Sequence, residues 1–339
     1  MTERFHISEW YGRPVLNLTD EERIAFAKHK VGGSAMTKSD LRRLLLLEDK
    51  FSRGKLSTAE AERLEVLRKR LDKQNQNEKI CPFRTDLAHP TCTKPGGVCS
   101  LQLYSDTNGR LDVVNGVRGK IRALCPYRFH QMNKVFQFIG KTILGNESPS
   151  QVREIGFLQS TGNLDSSPGE DVGRIDMVLV DRNSGDSNIR WVAVEIQAVY
   201  FSGPEMKTEF TNIIDSGGVF SFPLKIRRPD YRSSGPKRLM PQLQIKVPTL
   251  RRWGKKMVIV VDQPFFLSMG EMRKVSDITD SDIVWCVVDF INTVGSKINQ
   301  IEIIDTFYTT LESAIEGLTG GTPVSLGEFE ERICLKNQA

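Results

Sequence analysis

The stretch Arg190-Trp191-Val192-Ala193-Val194-Glu195-Ile196-Gln197-Ala198 decides the reading of this chain. Side chains alternate along a strand, so Val192, Val194, Ile196 and Ala198 fall on one face while Glu195 and Gln197 share the other. The preceding apolar run, Gly173-Arg174-Ile175-Asp176-Met177-Val178-Leu179-Val180, carries a single acid. A hairpin between the two strands, closed by roughly nine residues, brings Asp176 near Glu195. Further strands are predicted at Arg153–Gln159, Met257–Val261 and Ile283–Phe290. Helices are expected around Glu205–Ile214 and from about Arg238 to Trp253, the latter interrupted by Pro241 and Pro248. Strands with intervening helices give a mixed α/β domain.

Two carboxylates on adjacent strands form a hard, oxygen-rich site suited to Mg²⁺. Such an ion neutralises charge on a phosphate under attack and lowers the pKa of a bound water. Gln197 is placed to orient that water by hydrogen bonding, although it lacks the positive charge of a lysine. Rival first acids are Asp165, Glu170 and Asp171, in a loop-like segment, and Glu154 is a further candidate. Asp176 is preferred because an acid within an apolar strand is rigidly placed. The trio Asp176, Glu195 and Gln197 resembles the PD-(D/E)XK nuclease signature, in which Asp and Glu bind metal and Lys assists the nucleophile. It departs from that signature in having Ile175 where Pro stands and Gln197 where Lys stands.

Working outward, residues 127–143 read as a helix with Phe129, Met132, Val135, Phe136, Ile139 and Ile143 on one side. Residues 79–126 are rich in Cys, Pro and Gly and lack periodicity. Cys81, Cys92, Cys99 and Cys125 leave 10, 6 and 25 intervening residues. Four thiolates suit tetrahedral zinc or iron, and a metal compensates for a segment with little apolar core. His89 is an alternative ligand, and incidental thiols are the competing reading. Cys286 sits in an apolar strand and reads as core; Cys334 reads as uninvolved. Residues 1–78 read as a polar helical arm, with Ser57 and Glu60 at capping-box spacing before a helix. The expected organisation is therefore a helical region over 1–78, a four-cysteine element over 79–126 and a catalytic domain over 127–339.

Between Lys225 and Lys256 eleven basic residues face one acid, Asp230, a net +10 in a chain whose total is +5. The remainder is thus acidic, and a focused basic region of this kind suits phosphate neutralisation. Arg227, Arg228, Arg251 and Arg252 are the candidate DNA contacts. No run of about 18 uncharged apolar residues exists to suggest a membrane span. No secretory pattern is visible, so cytoplasmic residence with reduced thiols is the expectation.

The four cysteines followed by a strand ending Val194-Glu195-Ile196-Gln197 are together similar to the NotI-type restriction endonucleases, over about residues 79–290. The resemblance implies a PD-(D/E)XK core carrying Gln for Lys, with a structural iron or zinc at Cys81, Cys92, Cys99 and Cys125. It further implies a homodimer that cuts a palindromic, GC-rich site in double-stranded DNA with Mg²⁺. Two other readings compete: a structure-selective repair nuclease, and a metal-stabilised DNA-binding protein without catalysis.

Overall fold

The computed structural model describes residues 2–28, 38–77, 80–84, 91–108, 110–162, 167–182, 189–292, 296–321 and 324–337. The chain forms two compact units that interleave along the sequence. One comprises Met1–Val114, Gly203–Arg227 and Val294–Asn299; the other comprises Asn115–Ser202, Arg228–Thr293 and Gln300–Ala339. The boundaries expected near residues 78 and 126 do not coincide with this division, because distant segments pack together.

In the first unit, β1 (Glu3–Trp10), β2 (Arg13–Pro14), β3 (Val98–Thr107) and β4 (Arg110–Val113) lie in the order β2-β1-β3-β4. Strand β1 corrects the expectation of an all-helical N-terminus. Its residues from Phe5 to Trp10 are all buried, and the alternation Arg4-Phe5-His6-Ile7-Ser8 is the strand signal the sequence carries there. Trp10 stacks on Phe210 with ring centroids 5.0 Å apart, and its Nε1 donates to the Gly96 carbonyl at 2.7 Å. Gly97 has φ +67°, and a Cβ there would lie 2.2 Å from the Tyr11 ring. Three helices follow as expected, α1 (Asp20–Lys28), α2 (Lys38–Ser52) and α3 (Thr58–Asn77). The capping box of α3 is formed: Glu60 N–H donates to Ser57 Oγ at 3.4 Å and Ser57 N–H to Glu60 Oε2 at 3.1 Å. Leu44 and Leu47 of α2 pack on Leu64 and Leu67 of α3 in a small core of their own.

The second unit is built on seven strands: β5 (Ser150–Gln159), β6 (Asp171–Asp181), β7 (Arg190–Gln197), β8 (Met257–Asp262), β9 (Lys274–Val275), β10 (Ile283–Ile291) and β11 (Gln300–Thr309). Their order is β9-β11-β10-β8-β7-β6-β5. Strands β7, β8 and β10 run parallel, and the flanking pairs are antiparallel. Every residue of β8 is buried, as a parallel strand covered on both faces requires.

One face of this sheet is covered by α4 (Met240–Arg252) and α5 (Leu311–Thr319), through Leu239, Leu243, Val247, Leu250, Ala314 and Leu318. The other face is covered by the segment 126–144, through Phe129, Val135, Phe136, Ile139 and Leu144. That segment is α-helical only at Lys134–Ile139, with a 3₁₀ stretch before it and a π turn after it. Positive φ at Met132 and Asn133 breaks the single helix read from its periodicity, and Met132 is exposed. Helix α4, by contrast, is continuous across both prolines. Pro241 lies in the first turn, where its missing N–H costs nothing, and Pro248 lies on the exposed side.

Candidate active site

The β6–β7 ladder ends at Met177 opposite Val194. One step further along the same antiparallel register, Asp176 faces Glu195. Side chains directly opposite in such a pair stand on the same face, and both carboxyl groups approach the same ammonium, that of Lys246. Their surroundings differ. The Asp176 side chain is 61% exposed and that of Glu195 only 3%. Glu195 lies on the α4 side of a strand otherwise packed into both cores.

Helix α4 brings a third group that the strand pattern does not reveal. Lys246 Nζ donates to Glu195 Oε2 at 2.8 Å and to Gln242 Oε1 at 2.6 Å, and stands 3.8 Å from Asp176 Oδ1. The inward face of α4 carries Leu243, Val247 and Leu250, and Lys246 shares that face. A lysine inside an apolar helical stripe was the available signal in the sequence. By composition alone it is one charge of the basic segment.

Burial is the main influence on Glu195. It pushes the carboxyl up to about 7, against the pull of Lys246 and with a further rise from Asp176. An ionised carboxylate in so dry a place needs cationic company. Gln197 lies two residues on, half-buried, and its Nε2 donates to the Ala198 carbonyl at 2.7 Å.

The donor set fits a hard divalent cation: two facing carboxyl groups, one of them exposed. Among the described residues no three His, Cys, Asp or Glu side chains form a metal-holding group. A cation here would complete its shell with waters and phosphate oxygens, as Mg²⁺ commonly does. Asp165 lies outside the described residues, Glu170 and Asp171 are exposed, and Glu154 is an exposed residue 3.8 Å from Arg174.

The basic segment divides into inward and outward groups. Arg227 is buried; it donates to Glu209 Oε1 at 2.8 Å and to the carbonyls of Pro204 and Glu205, both at 2.9 Å. Its donors are therefore used inside the protein, unlike those of the other candidate DNA contacts at the surface. Arg251 is drawn into ion pairs with Asp282 and Glu312, which hold its guanidinium above its ordinary range. Arg228 and Arg252 are exposed, the latter donating to Thr249 Oγ1 at 3.1 Å.

Cys81, Cys92 and Cys99 belong to the first unit and Cys125 to the second. Cys81, Cys99 and Cys125 are buried and Cys92 half-buried. Cys99 Sγ accepts the Gly12 N–H at 3.3 Å. Burial, then Cys92 and Cys99 nearby, push the Tyr11 hydroxyl above its ordinary range. His89 lies outside the described residues. Cys286 is core, its thiol pushed up to about 12 by burial, and Cys334 is exposed.

The acid pair and the buried lysine thus sit together on a mixed sheet flanked by helices. The family model described as restriction endonuclease NotI matches residues 65–300, and the chain belongs to that family. It is accordingly a site-specific deoxyribonuclease that binds double-stranded DNA. The match spans the four cysteines, the acid pair and Lys246. No curated protein matches the chain.

Proposed function

We propose that the chain is a Type II restriction endonuclease that hydrolyses phosphodiester bonds at a specific, palindromic, GC-rich site, acting as a Mg²⁺-dependent homodimer with a PD-(D/E)XK-type centre. The observation that carries this reading is the facing pair Asp176 and Glu195, one exposed and one buried. In this reading both acids hold Mg²⁺, which when bound supplies positive charge to the phosphoryl group. Glu195 is the fixed ligand, gripped by Lys246, and Asp176 meets the substrate side. Gln197, tethered through its amide nitrogen, offers its oxygen to orient the attacking water.

Exposed Arg228 and Arg252 are proposed as phosphate contacts that set the register on DNA. A two-fold homodimer matches a palindromic target by symmetry. Cys81, Cys92, Cys99 and Cys125 are proposed as ligands of a structural iron or zinc.

Digestion of long viral DNA with Mg²⁺, comparing wild type with Glu195→Ala, tests the reading. Discrete fragments that vanish in the variant support it. No cleavage across several divalent metals would sink it, and fragments dependent on DNA structure rather than sequence would favour a repair nuclease.

A further inference from the structure

Lysine carries three N–H donors and no acceptor. Two of those on Lys246 are engaged, by Glu195 Oε2 and Gln242 Oε1. The remaining neighbour is Asp176 Oδ1 at 3.8 Å, beyond hydrogen-bonding distance, and Asp176 is the exposed member of the cluster. The third donor of Lys246 has no hydrogen bond among the described residues, and the exposed acid Asp176 stands beside it. Gln197, the strand residue beside Glu195, brings no charge.

We propose that Lys246 is the catalytic cation of this site, donating its third N–H to the phosphoryl group under attack. The inference rests on the nuclease reading above and adds a residue that reading does not use. In the cleavage step a water oxygen bonds to phosphorus and one P–O ester bond breaks. The attacking water gives up a proton and the departing oxygen takes one up. Lys246 keeps its protons throughout and contributes a hydrogen bond and a fixed charge where negative charge accumulates. Its position on α4 supplies from a helix the charge that residue 197 lacks on the strand.

The experiment uses the full chain as wild type, Lys246→Met, Lys246→Gln and the double variant Gln197→Lys/Lys246→Met. Single-turnover cleavage with Mg²⁺ is read beside DNA binding in Ca²⁺, Ca²⁺ affinity by calorimetry, and thermal melting. Removing a transition-state donor lowers rate more than binding, so Lys246→Met should cleave about a hundredfold slower with DNA affinity nearly unchanged. Ca²⁺ should bind more tightly to that variant, because a fixed cation beside Glu195 has gone. The double variant should recover at least about tenfold of the lost rate by returning an ammonium to the acids.

Wild-type cleavage by Lys246→Met overturns the proposal. So does a loss of cleavage, Ca²⁺ binding and melting temperature together without rescue by Gln197→Lys, the pattern of a residue that only holds α4 in place. If Lys246→Met does not fold, Lys246→Gln keeps the side chain's length and polarity, and the same two criteria apply to it. A wild type that cuts nothing removes the nuclease reading, and this inference with it.

Discussion

Asp176 and Glu195 stand opposite each other on neighbouring antiparallel strands, yet only Asp176 is open to solvent. Truncating the two should therefore have unequal costs. Asp176→Asn keeps the shape and removes one charge at an exposed position, so stability should move by no more than about 0.5 kcal/mol. Cleavage should nevertheless fall by about a hundredfold or more, because a neutral amide is a poor ligand for a hard cation. Denaturant melts and single-turnover rates on the same preparation check both halves.

Arg227 and Arg228 are neighbours in sequence with opposite surroundings. Arg227→Ala leaves Glu209 buried without its cation and should cost about 3–5 kcal/mol of stability. Arg228→Ala should leave stability within about 0.5 kcal/mol and weaken DNA binding, reducing the salt dependence by about one phosphate contact. Urea unfolding and salt-dependent binding isotherms separate them; equal effects on stability would contradict the assignment.

His6 gives a pH-dependent term. Burial beneath the stacked Phe220 ring, 4.3 Å away, depresses the imidazole to about 3. The folded state therefore binds fewer protons than the unfolded state between about pH 3 and 6.5. Stability from this group is full above 6.5 and declines as pH falls through that window. Between pH 7.5 and 5 the loss attributable to His6 should be about 2 kcal/mol. His6→Phe should remove that loss, read as the difference between the two proteins' pH profiles. Asp262, fully buried and pushed up to about 6 chiefly by burial, has the opposite slope, so the difference and not the raw profile is diagnostic.

The cysteine proposal is tested by composition. Iron or zinc should co-purify with the protein, and Cys92→Ser should reduce the bound metal and the melting temperature together. Unchanged metal content would remove Cys92 from the site.

The strands around the acids were legible in the sequence because apolar runs there carry Asp176 singly and Glu195 and Gln197 at a two-residue spacing. Their ends were predicted within three residues. Strand β1 carries only a short alternation, Arg4-Phe5-His6-Ile7-Ser8, and its polar members are buried, which that pattern does not foretell. Strand β11 was also missed: its exposed and half-buried residues, such as Glu302, Ile304 and Asp305, dilute the alternation. Lys246 eluded the motif reading because its distance from the acids depends on how α4 crosses the sheet, and linear spacing contains no such information. The same holds for Arg227, whose partner Glu209 lies eighteen positions away.

Helix α4 has a consequence for how the enzyme's competence is coupled to its integrity. The acids belong to neighbouring strands, whereas the ammonium that compensates Glu195 arrives from 51 residues further along the chain. If α4 lifts from the sheet, the site loses its fixed ammonium together with the packing that holds Glu195 in one place. On the proposed reading, docking of one helix is a proofreading contact: a loosened or incompletely assembled chain lacks a complete site before it is unfolded.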